Sequence, residues 1–210
     1  MKPITITKNK VSGASIIETM LVFPIILFLG FGVVHLGLIF QAQSNLEYAA
    51  LMAARVGAST SIDIASMQAE VIRRMQASEL GVPGSSTPLV DIQVLNPTQG
   101  MFNDCGEQPI EDGNCAALPG CEIPNFGLQL RPRTEICDGA SIQDANLLRI
   151  RVDYLYDTKI PFLNRMPFTR GAFAQDSLAG DGVNVFAVAT VRMQSPARRT
   201  INNTANIVQQ

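Results

Sequence analysis

The longest apolar run in the chain extends from Met20 to Phe40 and contains no formally charged side chain. A helix rises about 1.5 Å per residue, so this run would cover roughly 31 Å, close to the bilayer hydrocarbon thickness of about 30 Å. The pattern therefore predicts one membrane-spanning helix over 20–40.

His35 is the one titratable group in the run. Because it has no acidic partner there, we expect a neutral His35 that is hydrogen-bonded within a helix packing.

Beyond the span the pattern stays helical but becomes less hydrophobic. Ala, Leu and Met dominate, and because they are strong helix formers we expect one helix to continue to about Arg55 or Val56. Pro24 lies inside this helix and is expected to kink it or to relax the preceding turn. Four small residues can pack against a partner helix or against the domain's own sheet: Ala49, Ala50, Ala53 and Ala54. We expect the sheet to cover part of this set.

The rest of the chain predicts a small α+β domain. A second, amphipathic helix of about 18 residues is expected, with Ser61 as its N-cap and Gly81 at its end. Apolar and polar residues then alternate in two stretches, near 90–94 and 148–156, and 185–193 predicts a third, more buried strand. Three such strands with a helix behind them predict an antiparallel sheet.

All four cysteines lie within a long Gly-, Pro- and Asn-rich stretch, 96–143, at Cys105, Cys115, Cys121 and Cys137. Their spacing contains no CxxC pair and no His is nearby, so disulfides are favoured over a zinc site. Four cysteines allow three connectivities, and the spacing does not choose among them. We expect a disulfide-stapled loop, with no metal and no cofactor.

Charge and composition disfavour two classes of function. The net charge of -2 leaves no basic excess for nucleic acid, and the tail after Ser195 is expected to be loose, with Arg198 and Arg199 solvated. The only His lies in the span, so the domain has no Ser–His or Cys–His pair. Its carboxylates are scattered over predicted strand and loop: Asp91, Asp104, Glu107, Glu111 and Asp112. We therefore expect a protein that is not an enzyme.

Charges on the two sides of the span predict its orientation. The first thirteen residues carry Lys2, Lys8 and Lys10 and no acid, whereas 41–47 contains no Lys or Arg. Short positive flanks stay in the cytoplasm, so the N-terminus is expected inside and the domain across the membrane, where disulfides are tolerated. A secretory signal peptide is the competing interpretation, but its apolar region is only about 7 to 15 residues long.

A glycine and a carboxylate stand at the cytoplasmic edge of the span. Gly13 precedes the apolar segment, and Glu18 follows five positions later. A carboxylate so close to hydrocarbon is costly unless a positive group meets it or it stays at the interface. If the chain were cut after Gly13, the new amino group of Ala14 would be that positive group, on this subunit or on its neighbour. The simpler alternative is a plain membrane anchor with a glycine in its cytoplasmic turn.

At these residues the chain resembles type IV prepilins, and more closely the TadE-like pseudopilins of tight-adherence pili. The resemblance rests on the Lys-bearing leader with Gly13 and Glu18, on Pro24, and on the stretch LEYAALMAARVGA at 46–58. Two later segments, 152–161 and 187–193, are loosely similar. Thr19 departs from the family pattern, which often has an aromatic residue there.

The resemblance implies a function and a set of partners. A membrane prepilin peptidase would cut between Gly13 and Ala14, and Glu18 would support docking of the mature subunit. The chain would be a structural subunit in tight-adherence pilus assembly that meets other pilin-like subunits and assembly-platform proteins. It would sit in the bacterial inner membrane as a single-pass protein, with its C-terminal domain in the periplasm or outside the cell. The alternative is a permanently anchored envelope adhesion protein whose stapled loop recognises a partner.

These expectations divide the chain into three parts. Residues 1–13 are a cytoplasmic leader, 14–58 are a long helix that contains the span, and 59–210 are the extracytoplasmic domain.

Overall fold

The computed structural model describes residues 14–78, 90–108, 120–132, 134–156 and 183–209. The chain divides into two compact units, Met1–Leu38 and Ile39–Gln210. Several predictions fall outside the described residues: the leader with Gly13, the helix end at Gly81, and Cys115.

The predicted long helix is confirmed as α1, Ala14–Ser59, which continues through Pro24. It ends slightly later than expected. Gly57, in its last turn, accounts for close packing there, because a Cβ at this position would collide with Met67 Sδ and lie 3.0 Å from Leu148 Cδ2.

A second helix, α2, Ile64–Ser78, is also present, but its cap differs from the prediction. Asp63 caps it by accepting hydrogen bonds from the backbone N–H (3.2 Å) and the hydroxyl of Ser66. Ser61 cannot act as the cap because it lies two residues too early. Ser61 and Ile62 instead turn the chain with φ values of 56° and 65°.

The remaining elements follow in chain order: β1 Val90–Asn96, α3 Gln99–Cys105, β2 Glu122–Ile123, β3 Ile136–Cys137, β4 Ala140–Ser141, α4 Ile142–Ala145, β5 Leu147–Tyr156, β6 Val183–Arg192, β7 Ala197–Arg198 and a 3-10 helix Thr204–Asn206. The central sheet has the order β1-β5-β6 and is antiparallel throughout, as predicted. Two small ladders accompany it, β2 with β7 and β3 with β4.

One face of the central sheet forms the core of the unit Ile39–Gln210. Burial alternates along most of each strand and puts mainly apolar residues on this face, although the outward positions of β6 also include the apolar Phe186 and Val188. It packs with the alanines of α1 and with three residues of α2, Met67, Val71 and Met75, in one buried cluster. The predicted α+β class is confirmed.

The predicted stapling of the long loop is confirmed for one pair. Cys105 and Cys137 form a disulfide across 32 residues, with their Cα atoms 5.5 Å apart. Cys121 is disulfide-bonded as well. The bond between Cys105 and Cys137 ties the end of α3 to β3, so it joins two elements that are far apart in sequence.

Two glycines allow the stapled loop to fold tightly. Gly120 has a φ of 62°, and a Cβ there would collide with the carbonyl oxygen of Phe102. Gly106 donates its backbone N–H to the same oxygen over 2.9 Å. Because both backbones approach one carbonyl, neither position accommodates a side chain.

The prediction of a loose, solvated tail is wrong. Ala197 and Ile207 are buried apolar residues, and β7 pairs with β2. Arg199 is only 3% exposed. Its guanidinium hydrogen-bonds Asn103 Oδ1 over 3.0 Å and lies 5.6 Å from the centroid of the Phe102 ring.

The last residues of the tail cover the outer edge of β1. Ile207 forms a parallel bridge with Val94, and the backbone N–H of Val208 donates to the Val94 carbonyl over 3.0 Å. Asn206 donates its side-chain amide to the Ile92 carbonyl over 2.9 Å. The C-terminal segment therefore occupies two carbonyl groups of β1, those of Ile92 and Val94, to which a further strand would otherwise donate.

Candidate functional site

The first half of α1 exposes its apolar side chains on all sides. Every residue from 16 to 31 is exposed, including Phe23 and Leu29. The helix is long and apolar enough to cross a membrane. Because this much exposed apolar surface is unfavourable in water, the segment fits a single-pass membrane anchor.

Glu18 projects from this exposed half. Its side chain is exposed, and it forms no hydrogen bond or ion pair with another described residue. Ala14, the first helical residue, lies four positions earlier, which is about one helical turn. The structure thus puts the predicted new N-terminus and the predicted docking carboxylate on one side of the helix, while Gly13 itself lies outside the described residues.

His35 lies further along the same helix and is 3% exposed. Its Nε2 atom has no hydrogen-bond partner among the described residues. The predicted hydrogen bond is therefore not seen at this nitrogen.

The second half of α1 packs within the unit Ile39–Gln210. Ala49, Ala50, Ala53 and Ala54 are completely buried, in one core cluster with the sheet, as expected for part of this set. Small side chains allow the helix backbone to approach the strands closely.

Hydrogen bonds fix this half of the helix to β6 and to the chain just after β6. Near its start, Gln43 Nε2 donates to the Phe186 carbonyl over 2.8 Å. At its end, the backbone N–H groups of Gln194 and Ser195 both donate to the Ala58 carbonyl over 3.0 Å. Sequence reasoning missed these contacts, which join residues more than a hundred positions apart.

A charged cluster joins α2 to α1. Glu70 accepts hydrogen bonds from Arg73 (3.0 Å) and Arg74 (2.7 Å), and Arg74 also donates to the Tyr48 hydroxyl on α1 over 3.1 Å. Burial alone would raise the pKa of Glu70, but the hydrogen bonds from the two arginines outweigh it and lower that pKa. The pairing of Glu70 with Arg74 could have been predicted from the sequence, because side chains four residues apart on a helix are neighbours.

This cluster predicts a pH-dependent contribution to stability. Because the folded-state pKa of Glu70 lies below its ordinary value, its contribution is present above pH 4.5 and is lost as the pH falls through the folded pKa. Glu70→Gln is expected to lower the free energy of unfolding at pH 7 by about 0.5 to 1 kcal/mol. The measurement is urea unfolding of the full chain in nanodiscs from pH 7 to pH 3. The difference from wild type should shrink at the acid end; a constant difference would contradict the prediction. Glu47→Gln, at an exposed carboxylate of α1, is the control.

The described residues contain no group of three or more His, Cys, Asp or Glu side chains that could hold a metal ion. A polar pocket of about 690 Å³ lies beside the turn between α1 and α2, lined in part by Thr60, Asp63, Arg198 and Asn202.

The stapled loop carries the two most exposed large apolar residues that the structure describes outside α1. Phe126 is 83% exposed and Leu130 is 91% exposed, and Ile136 of β3 is exposed as well. Since apolar side chains are normally buried, each of the three is a candidate contact residue.

Comparison with known proteins matches the helix alone. Residues 13–55 match the family described as TadE-like protein, which confirms the resemblance predicted from these residues. The match covers about a fifth of the chain and includes both Gly13 and Glu18. No curated protein and no solved structure matches the chain.

Proposed function

We propose that this chain is a pilin-like (pseudopilin) structural subunit that takes part in assembly of a tight-adherence pilus. It is inserted with its N-terminus in the cytoplasm, cut between Gly13 and Ala14, and packed into the assembly through residues 14–58. The observation that carries the proposal is the family match over 13–55, which begins at Gly13 and runs through the Ala-rich stretch.

The two halves of α1 support this role. The first half leaves an apolar surface that a membrane or neighbouring helices must cover, and the second half is fixed to the sheet by its alanines and by Gln43. The folded unit thus holds the second half of the helix, while the apolar side chains of the first half remain available for packing. That arrangement suits a subunit that leaves the membrane for an assembly.

Glu18 is the proposed docking carboxylate. It is exposed, and no described residue of its own chain neutralises it. A carboxylate near hydrocarbon is stabilised by a positive group, and the amino group of a cut Ala14 would supply one, on this chain or on a neighbouring subunit. Docking of the subunit through Glu18 would thus require prior cleavage between Gly13 and Ala14.

The proposal includes partners and a location. The partners are a prepilin peptidase, other pilin-like subunits and proteins of the assembly platform, in and beyond the inner membrane of a bacterium. The domain would lie in the periplasm or outside the cell. The role is structural, without catalysis and without nucleic-acid binding.

The exposed apolar residues of the stapled loop favour a second candidate. Phe126, Leu130 and Ile136 could contact a surface or another protein. The chain would then be a permanently anchored adhesion protein of the envelope that keeps its leader.

The test is the N-terminal mass of the protein isolated from membranes of its host. A start at Ala14 is expected. An intact Met1 would favour the permanent anchor, and a start after residue 40 would indicate a secreted domain and refute both membrane hypotheses.

A matched pair of variants tests the docking role. Glu18→Ala is expected to insert into the membrane normally but to reduce incorporation into pili at least about tenfold, since pairing of a poorly solvated charge is lost. Glu47→Ala, at an exposed carboxylate beyond the span on the same helix, should assemble normally. Equal assembly of both variants would exclude Glu18 as the docking group.

A further inference from the structure

We propose that the start of β6, around Phe186, lies in the headgroup layer of the membrane and contacts phospholipid directly. The proposal rests on membrane anchoring by the 20–40 segment, which is part of the function proposed above. It adds a second membrane contact, made by the folded domain.

The first step is the depth of Phe186. The apolar run ends at Phe40, and the hydrogen bond from Gln43 to the Phe186 carbonyl lies three residues later on the helix. Three residues correspond to a rise of about 4.5 Å. The headgroup layer is about 5 to 7 Å thick on each side of the hydrocarbon core, so Phe186 falls within it if the helix crosses with little tilt.

The second step is the direction of β6. The strand contacts Gln43 at Phe186, and the chain just after the strand contacts Ala58 at Gln194. The second half of α1 and β6 therefore run in the same direction. Within β6, residues 183–185 therefore lie on the Phe40 side of Phe186, and Thr190 lies about 13 Å further along the strand, away from Phe40.

The third step is the chemistry of the surface. Phe186 is 43% exposed, and Phe40, at the end of the apolar run, is exposed as well. Both belong to the unit Ile39–Gln210. This unit therefore carries two exposed aromatic rings near the end of the apolar run, at the depth where aromatic side chains of membrane proteins lie.

The ring of Phe186 contacts an ion pair that has no net charge. The Arg151 guanidinium lies 4.8 Å from the centroid of the Phe186 ring and pairs with Asp153 over 2.9 Å. Because the pair has no net charge, the contact should not depend on anionic lipid. We therefore assign phospholipid in general, rather than an acidic headgroup, as the partner.

The absence of Trp from the sequence allows a direct test of depth. Single Trp residues are introduced in the full chain, which is reconstituted in nanodiscs with lipids brominated near the top of their acyl chains. Phe186→Trp is the reporter, and Thr190→Trp, exposed on the same face of the same strand, is the matched control. Val33→Trp, at an exposed position within the span, reports whether the helix is inserted.

Phe186→Trp fluorescence is expected to fall about twofold in brominated lipid, because its ring would lie within about 10 Å of the quencher. Thr190→Trp should keep its fluorescence. Val188→Trp, which leaves the contact between Arg151 and Phe186 in place, should fall between the two. It serves as a second reporter if Phe186→Trp perturbs the fold. The result should be the same in neutral and in anionic lipid.

Three outcomes would overturn the proposal, and they are distinguishable. Quenching of Val33→Trp without quenching at 186 or 188 would retain the anchor and reject the headgroup contact. Equal quenching at 186, 188 and 190 would reject the assigned depth. Absence of quenching at Val33 would reject membrane anchoring itself, and with it both proposals.

Discussion

Replacing Cys105 and Cys137 together by alanine is expected to lower the free energy of unfolding of the unit Ile39–Gln210 by about 3 to 4 kcal/mol. The disulfide closes a loop across 32 residues, and opening it restores conformational entropy to the unfolded chain. The native contacts between α3 and β3 would also lose their covalent support. This is a large part of the stability of an ordinary domain.

Urea unfolding of the full chain in nanodiscs, followed by tyrosine fluorescence, measures this change. Tyr154 and Tyr156 are buried on β5, and no Trp obscures their signal. The double variant is preferable to a reductant because Cys121 is disulfide-bonded too, and a reductant would open that bond as well. An unchanged unfolding midpoint would refute the stapling role.

Phe102→Ala is expected to cost about 4 kcal/mol, because it removes a fully buried ring and leaves a cavity. The ring also lies under the guanidinium of Arg199, a buried cation. Burial lowers the pKa of Arg199, since dry surroundings disfavour its charged form. Removing the ring takes away a favourable contact of that charge.

The same unfolding measurement tests this variant. Phe126→Ala, at a ring that is 83% exposed on the same loop region, should change the free energy of unfolding by less than about 0.5 kcal/mol. Phe102→Leu should lie between the two because it fills most of the cavity. A loss below about 1 kcal/mol for Phe102→Ala would show that the site relaxes around the missing ring.

Elements with strong periodic patterns could be predicted from the sequence. The long helix and the three strands of the central sheet follow from continuous apolar or alternating runs. The fold of the stapled loop and of the tail could not be predicted. There, single residues contact β1, which is more than a hundred positions away: Ile207 pairs with Val94, and Asn206 donates a hydrogen bond to Ile92. Such contacts leave no periodic pattern in the sequence. Cysteine pairing is likewise a property of the three-dimensional fold.

For the candidate site, the sequence predicted where Gly13 and Glu18 lie relative to the span, but it did not predict which residues contact one another. Gly13 and Glu18 are recognised by their distance from the span, and the structure gives Glu18 no partner among the described residues. In the proposed function, the counter-charge of Glu18 is the amino group that cleavage before Ala14 would create, on this chain or on a neighbouring subunit. By contrast, the bond from Gln43 to Phe186 joins residues 143 positions apart, so only the structure reveals it.

The C-terminal segment that covers β1 limits how copies of this domain can associate. A sheet with two open edges can recruit strands from neighbour after neighbour and grow into a fibre. Here Ile207 and Val208 occupy part of the β1 side, and the side chain of Gln43 occupies the Phe186 carbonyl on β6, so both edge strands of the central sheet are partly covered within the described residues. Growth of a β-sheet fibre from this sheet would first have to displace these contacts.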